Sequence, residues 1–257
     1  MLNENIDLLL VNLVDTKHSQ KVIDIIKQTN IPVIFFNREP YTTNAIKSYK
    51  KSIYIGTDAK EAGDLEGDLL LKAWNSSKLN VDKNKDNVLQ YIMLQGELYN
   101  IEAIFRTKYS VEAINKANVK TNELALFVCN WDQELAEKSI ESIFLKYGSN
   151  IEAIISNNDA MAIGAVNALQ KYGYNKGNPQ KTITVVGIDA IPEAENFIDN
   201  NFMTGSVVQD HYGMAEALYL SGLNLINGKS AIDGTQYKFD DTGVSIRIPH
   251  KGFIDNL

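Results

Sequence analysis

Side chains suited to hydrogen bonding or stacking stand directly after several short apolar runs of the sequence. These positions are Asn37-Arg38, Gly96-Glu97, Asn130-Trp131-Asp132, Asn157-Asn158-Asp159, Asp189 and Gln209-Asp210. Amides, carboxylates and guanidinium groups make paired hydrogen bonds to vicinal hydroxyls, and an indole can cover the apolar face of a pyranose. The set favours a neutral polyhydroxylated ligand. Asp132, Asn158 and Asp159, taken singly, also fit as helix N-caps.

A second group of oxygen ligands is spaced along the segment from Asp82 to Gln90. Oxygen-bearing side chains occupy positions 1, 3, 5 and 9, and Val88 at position 7 offers its carbonyl, as in the first part of a calcium loop. Asn87 stands at position 6, where positive φ is required, and Asn tolerates it. Met93 at position 12 cannot ligate, so a carboxylate must come from elsewhere. The alternative is a solvated turn rich in Asp, Asn and Lys.

Short apolar runs alternate with amphipathic segments of helical length. Strands are predicted at residues 6–13, 31–36, 52–56, 88–94, 123–129, 151–156, 182–188 and 204–208. Helices are predicted at residues 17–29, 60–74, 101–117, 132–145, 158–170, after Pro192 and at 212–225. Strict alternation predicts an α/β protein with parallel sheets flanked by helices, and such sheets bind ligands at the carboxyl ends of their strands. Gly63 and Gly67 share one helix face, which predicts close packing against a neighbouring element.

Composition excludes several classes of function. The chain has 257 residues, 44% of them hydrophobic, and a net charge of -7 without a basic stripe, so nucleic acid is not an expected partner. No apolar run is long enough to span a bilayer. The single cysteine, Cys129, is expected to be a small buried hydrophobe. The three histidines show no metal-ligand or triad spacing, and no nucleophile–base pair is visible, so an enzyme is not expected.

Four segments closely resemble the galactose/glucose-binding proteins, which are type 1 periplasmic sugar-binding proteins of ABC transporters. They run from Val33 to Pro40, from Tyr54 to Asp58, from Ser156 to Val166 and from Val186 to Ala194. The resemblance implies two α/β lobes joined by three crossovers, with a sugar held in the cleft between them. It places residues 1-57 and 210-246 in the first lobe, and residues 58-209 and 247-257 in the second. The crossovers are expected near Thr57-Asp58, Gln209-Asp210 and Ser245-Arg247.

The resemblance also implies residue roles. Matching sugar contacts are Asn37, Arg106, Trp131, Asn158 and Asp189. Asn100, Glu102 and Gln209 stand where the family pattern has His, Asp and Asn. The Asp-to-Glu and Asn-to-Gln departures move a functional group by about one methylene, which costs roughly 1–3 kcal/mol in a matched pocket and leaves the sugar's identity open.

The same resemblance supplies a sixth calcium ligand, a glutamate that precedes the Asn-Asn-Asp segment. The implied calcium set is Asp82, Asn84, Asp86, the Val88 carbonyl, Gln90 and Glu152. Calcium is therefore the expected cofactor, in a structural role.

Family membership would make the chain a non-catalytic receptor that delivers a monosaccharide to an ABC permease, and in some relatives to a chemoreceptor. The family places a signal peptide and two strands before the segment that opens this sequence. Neither is visible here, so the first lobe is expected to be incomplete, with an unpaired edge. Periplasmic or extracytoplasmic location is expected by resemblance alone. The alternative is the sugar-sensing core of a LacI-type transcription regulator.

Overall fold

The computed structural model describes residues 5–257, and the chain divides into two compact units. The first unit comprises Met1–Asp58, Asn100–Glu102 and Asp210–Pro249, and the second Ala59–Tyr99, Ala103–Gln209 and His250–Leu257. The first four residues of the predicted first lobe lie outside the described residues. The last change of unit follows Pro249 rather than residue 246, because Ile248 N still donates to Gly56 O at 2.8 Å within the first unit.

The first unit contains a parallel sheet of four strands. They are β1 (Leu9–Val11), β2 (Val33–Phe36), β3 (Ser52–Gly56) and β9 (Ser245–Arg247), in the order β1-β2-β3-β9. The unit's helices are α1 (Ser19–Ile26), α2 (Thr43–Lys47) and α9 (His211–Ile226). One apolar cluster joins Phe35 to Ile23 and Ile46, and a second joins Ile34 to Met214 and Ala217. The sheet is thus covered by α1 and α2 on one face and by α9 on the other.

The second unit contains a sheet of six strands in the order β10-β8-β7-β6-β4-β5. These strands are β4 (Val88–Gln95), β5 (Lys120–Val128), β6 (Ala153–Ser156), β7 (Thr184–Asp189), β8 (Gly205–Val208) and β10 (Phe253–Asp255). All neighbours are parallel except β10 and β8, which are antiparallel. The α/β class of the type 1 periplasmic binding proteins, with parallel sheets between helices, is therefore confirmed. The antiparallel direction of β10 departs from the predicted parallel arrangement.

The helices of the second unit are α3 (Ala59–Ser76), α4 (Lys78–Val81), α5 (Ile101–Lys116), α6 (Gln133–Tyr147), α7 (Asp159–Lys171) and α8 (Pro192–Asp199). The first two residues of α5 are grouped with the first unit. The close packing predicted for Gly63 and Gly67 is confirmed. A Cβ atom on Gly63 would lie 3.0 Å from Arg106 O, and one on Gly67 would lie 2.6 Å from Ser110 O. Helices α3 and α5 can therefore approach only because both positions lack a side chain.

Cys129 is fully buried, as expected, and burial raises the pKa of its thiol. None of the described helices is long and apolar enough to cross a membrane.

Candidate functional site

The strands β4 to β8 of the second unit run in parallel, so their carboxyl ends meet at one edge of the sheet. Arg106, from the adjacent helix α5, gathers several of the polar groups there. Its Nη1 donates to the Asn157 carbonyl at 2.8 Å and its Nη2 to Gln209 Oε1 at 3.1 Å. Its guanidinium carbon lies 5.9 Å from the centre of the Trp131 ring. The guanidinium thus links the ends of β5, β6 and β8.

Trp131 is held in an unusual backbone conformation. Asn130 and Trp131 have consecutive φ values of 51° and 65°, in the left-handed region that bulky residues rarely adopt. Gly96, at the end of β4, makes room for the indole, since a Cβ atom there would lie 2.4 Å from Trp131 Cζ2. The ring is therefore placed by the absence of a side chain on the neighbouring strand.

Asp189 is the last residue of β7 and has φ at 126°, and Ala190 follows with φ at 53°. Hydrogen bonds to Asp159, which is fully buried at the start of α7, stabilise this turn. Asp159 Oδ2 accepts from Ile191 N at 2.9 Å, and Oδ1 accepts from Ser206 Oγ at 2.6 Å. Strained backbone of this kind persists where the surroundings over-determine it, and it clusters at functional sites.

Both carboxyl groups hold their protons more tightly than usual. Burial raises the pKa of Asp159 to about 6. Hydrogen bonds from the Ser206 hydroxyl and from nearby backbone N–H groups oppose this rise. Burial raises the pKa of Asp189 to about 7, with Asp159 adding to the rise and Arg106 opposing it. At neutral pH the edge of the sheet can therefore offer both hydrogen-bond acceptors and donors.

The two candidate N-caps of α7 have separate roles. Asn158 Oδ1 accepts from Met161 N at 3.0 Å and is the N-cap of α7. Its oxygen is thereby used inside the helix terminus, which leaves its amide nitrogen as the group available to a ligand. Asp159 faces the interior instead.

The remaining predicted sugar contacts, Asn37, Asn100 and Glu102, belong to the first unit. Asn37 has φ at 62°, and its carbonyl accepts from Tyr54 Oη at 2.8 Å. Glu102 Oε1 accepts from Glu39 N at 2.7 Å, and Asn100 is buried. The resemblance places Asn100 and Glu102 in the second lobe, whereas the structure groups residues 100–102 with the first unit.

Two further groups of this site were not among the predicted sugar contacts. Asn157 Oδ1 accepts from Gly96 N at 3.1 Å and from Thr107 Oγ1 at 3.2 Å, which ties the ends of β4, β6 and α5 together. Its position directly after a strand is the sequence feature that could have identified Asn157 as part of the site. Glu66 lies fully buried on α3, within the electrostatic reach of Arg106 and Asp159. A glutamate in the middle of an amphipathic helix carries no sequence signal of such a place.

The loop predicted to hold calcium joins α4 to β4 and is closed by its own side chains. Asp86 Oδ1 accepts from Val88 N at 2.8 Å, and Oδ2 accepts from Asn84 Nδ2 at 3.0 Å and from Gln90 Nε2 at 2.9 Å. Asn87 has φ at 61°, as its position in the loop demands. The loop is therefore ordered around acidic and amide oxygens.

Glu152 reaches this loop from the segment before β6. Its Oε1 accepts from Lys83 N at 2.7 Å and its Oε2 from Gln90 N at 3.0 Å. Burial raises its pKa, and those backbone N–H groups oppose the rise. Burial likewise lowers the pKa of the Lys83 ammonium to about 8, with Glu152 opposing the fall.

Two oxygens of the predicted calcium set are buried without any hydrogen-bond partner in residues 5–257. They are Asp82 Oδ1 and Gln90 Oε1. Buried oxygens left in this way are unfavourable unless something else binds them, so the residues fit a cation with oxygen ligands. Across the described chain, no three His, Cys, Asp or Glu side chains cluster closely enough to hold a metal by themselves. A cation here would depend on the amide and carbonyl oxygens as well.

Comparison with known proteins places these features in context. Residues 1–230 match the model of a periplasmic binding protein domain. The chain is 37% identical over 259 residues to the D-galactose/methyl-galactoside binding periplasmic protein MglB of Haemophilus influenzae, covering 100% of this chain and 75% of that protein. Over 226 residues it is 25% identical to a putative rhizopine-binding protein of Rhizobium meliloti, covering 88% of this chain and 67% of that one.

Solved structures share the fold at low identity. A solute binding protein of an ABC transporter from Bacillus halodurans with bound myo-inositol superposes with a TM-score of 0.78 at 22% identity, over 99% of this chain and 76% of that one. A periplasmic solute binding protein from Actinobacillus succinogenes with bound D-allose gives a TM-score of 0.77 at 20% identity, over 99% and 80%. At these identities the likeness concerns the fold alone.

Proposed function

The chain belongs to the periplasmic binding protein family, and from that premise we propose that it is a non-catalytic receptor for a monosaccharide of the galactose or glucose class. The observation that carries the proposal is the grouping of Arg106, Trp131 and Asp189 at one sheet edge of the second unit. A guanidinium, an indole and a carboxyl group there offer donors, an apolar ring face and an acceptor to a pyranose. The relative named for D-galactose binding supports the same class.

Isothermal titration with a panel of sugars tests this proposal. The panel contains galactose, glucose, ribose and myo-inositol, and each sugar is recovered afterwards for analysis. Saturable binding of galactose or glucose, with the sugar recovered unchanged, is the expected result. Preference for ribose or myo-inositol would refute the sugar class, and chemical conversion of the sugar would refute the receptor role.

We further propose that Asp82, Asn84, Asp86, the Val88 carbonyl, Gln90 and Glu152 hold one calcium ion. The partnerless Asp82 Oδ1 and Gln90 Oε1 support the proposal, as does the arrival of Glu152 at the loop. Bound calcium would neutralise the facing acidic oxygens and tie the loop to the start of β6 without taking part in any reaction. Melting curves should shift upward with millimolar calcium relative to chelator, because a ligand of the native state alone stabilises it. Identical melting curves with calcium and with chelator would refute the proposed calcium site.

Delivery of the sugar to an ABC permease, outside the cytoplasm, is the transport role that we propose from family membership. The use of a chemoreceptor stays a prediction. The alternative, the sensor core of a LacI-type regulator, is not favoured, because residues 1–230 match a periplasmic binding protein domain and the 37% identical relative is named as a periplasmic binding protein.

A further inference from the structure

Glu66 is a buried carboxyl group that the proposed sugar contacts leave unused. Its side chain on α3 is 0% exposed, and neither oxygen has a hydrogen-bond partner among the residues that the structure describes. An ionised carboxylate is strongly disfavoured in such a place unless a partner compensates its charge. The protonated form, which carries no charge, is far less costly to bury.

The charged surroundings of Glu66 come from two neighbouring helices. Arg106 on α5 attracts the ionised form, and Asp159 at the start of α7 repels it. The strand β6 contributes the backbone N–H of Ser156, which favours the ionised form but falls short of hydrogen-bond geometry. Burial is the largest influence and raises the pKa of Glu66 well above its ordinary value. Asp189, at the end of β7, interacts with the same Arg106 and Asp159.

Arg106 is therefore one guanidinium among three carboxyl groups. Two of its nitrogens are committed to Asn157 and Gln209, while Nε is buried without a hydrogen-bond partner in the described chain. The close contact of α3 with α5 at Gly63 fixes the Arg106 backbone beside the helix that carries Glu66. If all three carboxyl groups were ionised, two negative charges in the interior would lack a counterion.

We propose that Glu66 is a further positioning residue of the sugar site, acting through Arg106 as a neutral carboxylic acid. A neutral Glu66 fills the space behind the guanidinium and leaves its positive charge to Asp159, Asp189 and the ligand. An ionised Glu66 would draw the guanidinium toward α3 and away from the sheet edge. The part of this inference that concerns sugar rests on the proposed function.

Thermal melting in the absence of sugar tests the charge state. The folded protein keeps a proton on Glu66 that the unfolded chain releases near its ordinary pKa of 4.5, so rising pH above that value costs the wild type stability. Glu66→Gln removes this dependence. The variant should melt with the wild type at pH 4.5 and above it at pH 8. Glu134→Gln, the same change at a side chain that is 83% exposed, should follow the wild type throughout.

A lower melting temperature for Glu66→Gln at pH 8 would show an ionised Glu66 paired with Arg106 and would overturn the proposal. If this variant does not fold, infrared spectra of the wild type decide instead. At pH 8, above the pKa of about 6 for Asp159 and about 7 for Asp189, a protonated carboxyl band should persist. The absence of this band would show that Glu66 is ionised and would overturn the proposal.

Sugar affinity at neutral pH tests the positioning role. Glu66→Leu removes the polar head, so the dissociation constant for galactose or glucose should rise about tenfold or more, whereas Glu66→Gln should restore most of that loss. Wild-type affinity in Glu66→Leu would refute positioning. Binding of neither sugar by the wild type would refute the proposed function and the sugar part with it. The melting and infrared results would still decide the charge state of Glu66.

Discussion

Substitution of Asp159 by alanine should weaken sugar binding far more than it weakens the fold, although Asp159 is not a proposed sugar contact. The substitution leaves Ile191 N and the Ser206 hydroxyl without the carboxylate that accepts from them. Each buried group left unpaired costs about 1–3 kcal/mol, so the loss is about 2–6 kcal/mol. Asp159 itself is costly to bury, since its pKa rises from 3.8 to about 6. That rise corresponds to roughly 3 kcal/mol at neutral pH, which the alanine recovers.

The net cost to the fold is therefore about -1 to 3 kcal/mol. Sugar binding has no such offset. The turn that carries Asp189 has φ of 126°, followed by 53° at Ala190, and without Asp159 it can relax toward unstrained backbone. The Asp189 carboxyl group then leaves the position that the proposal requires, and the dissociation constant should rise by about tenfold or more.

Thr204→Val is the matched control, because it acts on the same sheet at the opposite end. Thr204 Oγ1 accepts from Val185 N at 3.2 Å, so the substitution leaves one buried donor unpaired, at about 1–3 kcal/mol. Urea unfolding gives the two stability losses, and isothermal titration gives the two affinities. The losses should be similar, but only Asp159→Ala should lose affinity. Wild-type affinity in Asp159→Ala, or equal affinity loss in both variants, would refute this account of the turn.

Three further predictions address charge and calcium. Sugar affinity should rise as pH increases through about 7, because hydroxyl donors need an ionised Asp189 whose pKa is about 7; titration at pH 5.5 and 8.5 checks this, and a flat profile would contradict it. Glu152→Gln should remove most of the calcium-dependent rise in melting temperature, whereas Asp199→Asn should retain it. Arg247→Ala should lower the free energy of unfolding by about 2–3 kcal/mol in urea melts, because Glu39 loses its cationic partner. This figure is below that of a fully buried pair, since the Arg247 side chain is 27% exposed and solvent screens part of the interaction. A loss below about 0.5 kcal/mol would show that solvent already screens that pair.

The fold class could be predicted because apolar runs and amphipathic segments alternate along the whole sequence. The strand that begins at Lys120 was predicted only from residue 123, because β5 is a sheet edge whose first residues are polar and exposed. Helix α2 was missed, since five residues cannot show a helical period. The antiparallel direction of β10 depends on tertiary pairing with β8, which no local pattern encodes.

The residue types of the proposed sugar site could be predicted from the sequence. The backbone conformations and hydrogen bonds that hold these residues in place could be predicted less well. Asn37 and Asn130 at positive φ agree with the tolerance of Asn for that region. Trp131 and Asp189 adopt positive φ against their own preferences, so their conformations follow from neighbours distant in sequence. Asn158 and Asp159 are adjacent, and the sequence does not show which of them caps α7. Their hydrogen-bond partners do: Asn158 accepts from Met161 N as the helix cap, and Asp159 accepts from the Ser206 hydroxyl in the interior.

The groups that position the proposed ligand contacts share a physical feature, which is that each would be unfavourable without its neighbour. Gly96, directly after β4, has no side chain, and the indole of Trp131 fills the space that a Cβ atom there would occupy. Asp159 is a buried acid that is tolerated because a strained turn and a serine supply its donors. Where the cost of burying a charge offsets the loss of its hydrogen bonds, as it does for Asp159, the group can be lost with a small effect on melting and a large effect on binding. A search for residues that control this site should therefore compare affinity with stability at each buried polar position, rather than begin from the residues that touch the sugar.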